Sequence, residues 1–137
     1  KPGDRLGLWL RHLALGAVGA GGESRWLGTG ESVILRPVAD ARERLADVVA
    51  LYREGLRHPL PFFPQAAYAA AETKKDPLVA AHRPWDTPTT PEVPPGEGDD
   101  PYNALAFRGR DPFADPFVAL ARRVFDPLLA HQDEEDA

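Results

Sequence analysis

The stretch Leu51-Tyr52-Arg53-Glu54-Gly55-Leu56-Arg57-His58-Pro59-Leu60-Pro61-Phe62-Phe63-Pro64 narrows the possible folds more than any other part of this chain. A helical pattern stops on Gly55. Pro59, Pro61 and Pro64 then hold the backbone extended, because proline fixes φ and disfavours helix in the residue before it. Leu60, Phe62 and Phe63 are too apolar for a free linker. The strip is expected to dock, and an extended backbone sends Phe62 and Phe63 to opposite sides.

Around that strip the spacing predicts a helix-rich α+β fold with a small sheet. Leu6, Trp9, Leu10, Leu13 and Ala17 recur at helical spacing after Asp4, and Gly19 to Gly22 ends the run. Two strands are expected at Glu23–Gly28 and Ser32–Pro37, with Thr29-Gly30-Glu31 as the hairpin turn. Asp40 with Glu43 resembles a capping box opening a second helix, whose buried stripe would be Leu45, Val48, Val49, Tyr52 and Leu56. Pro64 starts a third, alanine-rich helix over Gln65–Lys75.

Residues 86–100 are rich in proline and glycine and are expected as an exposed loop. Asp-Pro occurs at 76-77, 100-101, 111-112, 115-116 and 126-127, and suits helix starts, since aspartate caps and proline is tolerated in the first turn. The longest of these helices is expected over Pro116–Phe125. The acidic tail at residues 133–137 is expected to fray. A lone hairpin is marginal in water. The sheet therefore needs a third strand, near Leu60–Phe63 or from outside this chain.

The 137 residues suffice for a single domain spanning 1–137. The chain opens on Lys1 directly in a helical pattern, and is expected to be part of a longer polypeptide. It has no cysteine, which removes thiol chemistry and fits a cytoplasmic protein. Lys1–Arg57 carries nine Lys/Arg against seven Asp/Glu, whereas His58–Ala137 carries seven against fourteen. Phosphate binding over the whole surface would require a basic domain. Any DNA contact must be local, and Arg25 and Arg36, on neighbouring strands, are its candidates.

The order helix, strand, strand, helix is that of PD-(D/E)xK nucleases, in which strand carboxylates hold Mg²⁺. Here the second strand reads Ser-Val-Ile-Leu-Arg-Pro, without a carboxylate or lysine. Glu72-Thr73-Lys74 matches the motif literally, but in helical composition, where residues two apart diverge. No catalytic residue, metal ligand or cofactor site is expected. The four histidines lie far apart in sequence, and Ser24 and Ser32 lack a nucleophile elbow. Phe62, Phe63 and Trp85 are assigned to a partner interface rather than to base stacking.

Three blocks carry a family resemblance: Leu8-Trp9-Leu10-Arg11-His12-Leu13, Leu51–Pro64, and Gly96-Glu97-Gly98-Asp99-Asp100-Pro101-Tyr102 with Leu105-Ala106-Phe107-Arg108-Gly109 and Pro127-Leu128-Leu129. They resemble the C-terminal region of RecC, the gamma subunit of bacterial exodeoxyribonuclease V. The resemblance implies a domain of a RecBCD-type helicase–nuclease, which processes double-strand DNA ends for recombinational repair. It implies a degenerate nuclease-like fold without metal ligands, partnered by other subunits and, through them, duplex DNA. Two rival readings are an active nuclease of the same fold and a free-standing protein-interaction module.

Overall fold

The computed structural model describes residues 1–28, 31–88, 90 and 95–136. They form helices α1 (Pro2–Ala17), α2 (Ala41–Gly55), α3 (Pro64–Glu72), α4 (Pro77–Trp85), α5 (Pro101–Ala106) and α6 (Phe117–His131), and strands β1 (Ser24–Leu27), β2 (Glu31–Leu35) and β3 (Gln132–Asp136). The fold class is α+β: helix-rich, with one small antiparallel sheet. The chain divides into two compact units, Lys1–Arg57 with Pro127–Ala137, and His58–Asp126.

The first unit holds the sheet, in the order β1-β2-β3 with both pairs antiparallel. Arg25 stands opposite Ile34, and Ile34 in turn opposite Asp133. The expected hairpin turn at Thr29-Gly30 lies outside the described residues. Val33, Ile34 and Leu35 of β2 are buried, as central-strand side chains should be. The third strand comes neither from Leu60–Phe63 nor from another chain. It is the acidic stretch expected to fray. Arg36 explains the pairing: its N–H bonds His131 O at 2.9 Å, and its guanidinium reaches Asp133 and, at 2.6 Å, the Ala130 carbonyl. These bonds fix the junction between α6 and β3, and β2 then supplies the ladder.

Helix α1 begins one turn earlier than Asp4 suggests, on Pro2. It ends where the glycines begin, with Gly19 at φ 78°, a backbone that side chains disfavour. Asp40 does open α2, but not as a capping box. Its carboxylate accepts from Arg44 Nε at 2.7 Å, which also holds its pKa below the ordinary aspartate value. The face that α2 buries is rotated from the expected one. Ala41 and Leu51 are buried, Leu45 and Val48 half-buried, and Val49, Tyr52 and Leu56 exposed.

The second unit is helical and built on aromatic rings. Phe63, 1% exposed, sits against Trp85, Phe107, Phe113 and Phe117 at centroid distances of 4.5, 5.1, 6.3 and 6.3 Å. Phe62 stacks on Phe125 at 5.8 Å, so both rings of the strip find partners among helices. Of the Asp-Pro pairs, Asp76 and Asp100 cap as expected: Asp76 accepts from Leu78 N and Val79 N, Asp100 from Tyr102 N and Asn103 N. Asp111 instead closes a turn onto Phe113 N at 2.9 Å. Asp126-Pro127 falls inside α6, which runs on to His131. A proline there gives up one hydrogen bond to the preceding turn. The packing of Phe125 and Leu128, both fully buried, on either side of it offsets that loss.

Candidate functional site

In the first unit the chemistry-bearing side chains gather at the inner end of the sheet. Trp9, His12 and Leu13 form the buried face of α1, because three and four residues return to the same side of a helix. That places the His12 ring, 3% exposed, against Ser24 of β1 and Arg36 just past the end of β2. Its Nε2 lies 3.0 Å from the Arg36 carbonyl, which can only accept, so Nε2 carries the proton. Nδ1 then accepts from the Ser24 hydroxyl at 2.8 Å. Trp9 stacks on His12 at 5.9 Å and lies 5.7 Å from the His131 ring, whose Nδ1 donates to the Pro127 carbonyl at 2.8 Å.

A serine hydroxyl on an imidazole nitrogen has the outline of a nucleophile and its base. Here the far nitrogen meets a backbone carbonyl rather than the carboxylate that would stabilise an imidazolium. The arrangement satisfies a buried ring and ties α1 to β1 and to the end of β2. His12 lay outside the apolar spacing that marked α1. Its position three residues from Trp9, and next to Leu13, was the signal that it faces inward.

Ser32, Val33, Ile34 and Leu35 of strand β2 are all buried, and none of them is a carboxylate. No group of three His, Asp or Glu among the described residues is arranged to hold a metal ion. Glu72-Thr73-Lys74 straddles the end of α3, with Thr73 already extended, and Glu72 accepts from the Tyr68 hydroxyl at 3.2 Å.

The residues singled out in the sequence fall in different places. Arg25 is exposed and pairs with Glu23 at 3.6 Å. Arg36 is taken up by Asp133 and Ala130. Phe63 is enclosed in the second unit, with Phe62 and Trp85 half-buried beside it. Trp85 also borders an open cleft of about 410 Å³ with Asp86, Thr87, Pro88, Gly98 and Asp99.

Glu97, which sequence reasoning passed over, does more than any of them for the second unit. Helix α3 starts behind Phe63, which has no side-chain acceptor, so its first N–H groups lack partners. Pro64 has none to offer. Glu97 accepts from Gln65 N at 3.0 Å and Ala66 N at 2.8 Å, and Ala67 N bonds Phe63 O. Burial pushes the Glu97 carboxyl above the ordinary glutamate value, the two N–H bonds pull it down, and nearby Asp100 adds to the rise. Gly96 makes the approach possible, since a Cβ there would lie 2.5 Å from the Trp85 carbonyl oxygen.

The fold and these residues define an α+β domain with an inward-facing polar clamp and no metal cluster among its described residues. The family model described as the RecC C-terminal domain matches residues 1–75, more than half of the chain. The chain belongs to the RecC C-terminal domain family. Comparison with curated proteins and with solved structures returns no match.

Proposed function

We propose that this chain is a noncatalytic, nuclease-like scaffold domain of the RecC subunit in a RecBCD-type helicase–nuclease. Such an assembly processes double-strand breaks for recombinational repair. The observation that carries the reading is the family match over residues 1–75. The stretch Ser32–Leu35 of β2 supports it, since it offers no carboxylate where a nuclease descended from the same fold would need one. The reading brings a cytoplasmic location, the other subunits as partners, and duplex DNA reached through the assembly. It requires no metal or cofactor bound by the domain. Arg25 and Arg36 are its candidates for local phosphate contact, and Phe62 and Trp85 for a partner-facing edge.

Incubation of the purified domain with linear duplex and Mg²⁺ or Mn²⁺ tests it, and the substrate is expected to stay intact. Cleavage that disappears in Glu72→Ala would replace the scaffold reading with an active nuclease. A titration with labelled duplex at two salt concentrations should give dissociation constants no tighter than about 10⁻⁴ to 10⁻⁶ M, the nonspecific range. Nanomolar binding that survives high salt would make the domain a DNA reader instead.

A further inference from the structure

Helix α2 carries an apolar row that the first unit does not cover. Val49, Tyr52 and Leu56 are 40%, 67% and 70% exposed. Their spacing of three and four residues puts them on one face, and Leu56 still has a helical backbone as C-cap. Single exposed apolar residues are ordinary on protein surfaces. This row differs in what runs beside it. Arg53 follows Tyr52 on α2 and Arg57 follows Leu56 in the turn just past the C-cap, so each stands next in sequence to a residue of the row. Both are exposed, and neither guanidinium has a carboxylate partner among the described residues.

We infer that this face of α2 is the docking surface for an acidic amphipathic helix of a partner subunit. The occupant would carry apolar residues at helical spacing against Val49, Tyr52 and Leu56. Two carboxylates one turn apart would meet Arg53 and Arg57 in paired, charge-assisted hydrogen bonds. Charge complementarity selects this partner. The two arginines, without a carboxylate partner among the described residues, call for anions, and the apolar row calls for a surface that a phosphate backbone lacks. Tyrosine and arginine are also the residue types that dominate binding energy at protein interfaces. The inference rests on the scaffold reading for which assembly supplies the partner.

The test uses the full subunit that carries this domain, co-expressed with the remaining subunits of the RecBCD-type complex. The variants are Tyr52→Glu with Leu56→Glu, Arg53→Glu with Arg57→Glu, and deletion of the domain. Each double variant should keep the wild-type melting profile and weaken subunit association roughly thirtyfold, while deletion abolishes it. If deletion abolishes assembly but both double variants assemble normally, the scaffold reading stands and this surface is wrong. If deletion itself leaves assembly intact, both fall. Loss of duplex binding by the Arg53→Glu, Arg57→Glu complex with assembly unchanged would assign the arginines to DNA and overturn the inference. A double variant that no longer folds would show the row to be core, and would overturn it equally.

Discussion

The two units put their large apolar side chains to opposite uses. In the second, phenylalanines from the segment after α5 and from α6 converge on Phe63 of the proline strip, and caps from Asp76, Asp100 and Glu97 close the short helices around them. In the first, the buried set is a three-stranded sheet and one face of α1, held by hydrogen bonds from His12 and Arg36, while α2 keeps an apolar row in solvent. The family match spans the N-terminal part of the first unit completely but only the beginning of the second. The ring cluster is enclosed within its own unit, whereas the apolar row of α2 stays exposed.

Substitutions that break this contrast should differ most at matched aromatic positions. Phe63→Ala removes the centre of the ring cluster and should cost about 3–5 kcal/mol, whereas Tyr52→Ala should change stability by no more than about 0.5 kcal/mol. Chemical denaturation followed at Trp85, the tryptophan of the second unit, and at Trp9 and Trp26 of the first measures both. Equal losses would end the distinction between enclosed and exposed rows.

His12→Ala should be the most costly polar change in the first unit, at about 1–3 kcal/mol, because it leaves the Ser24 hydroxyl and the Arg36 carbonyl without their partner. Amide hydrogen exchange should show the loss in β1 and β2 while the second unit keeps its protection.

Glu97→Ala should destabilise the second unit by about 0.5–2 kcal/mol, the range of a lost helix cap. The pH dependence sharpens this. A folded-state pKa above the ordinary glutamate value means that the folded state binds the proton more tightly. The stability this adds is complete below the unfolded-state pKa and is lost as pH rises through the folded one. Glu97→Gln should remove that decline from a melting series run upward from about pH 4. An unchanged slope would mean that the two N–H bonds outweigh burial.

Asp76→Ala should cost about 1 kcal/mol from loss of the bonds to Leu78 N and Val79 N. Asp126→Ala, inside α6 and exposed, should change stability by less than about 0.5 kcal/mol despite sharing the Asp-Pro pair. Thermal melts of the two variants separate a cap from a coincidence of sequence.

Much of the first unit could be read locally. Gly19 ends α1 through its backbone freedom, β1 and β2 carry strand residues on both sides of a short loop, and Pro64 starts α3 because a missing N–H costs nothing there. These are short-range effects, complete within one turn or one hairpin. The leucine-tyrosine strip and its prolines were also, with the two other blocks, what marked the family that residues 1–75 match.

Tertiary structure decided the rest. An acidic stretch has poor strand propensity, and only the distant Arg36 and the open edge of β2 make Gln132–Asp136 a strand. Glu97 lies more than thirty residues from the N–H groups it caps, a distance that no local pattern spans. The apolar stripe of α2 was visible in the spacing, but which part is buried depends on where α1 packs. Periodicity fixes which residues share a face, while only the neighbouring elements determine whether that face meets protein or water.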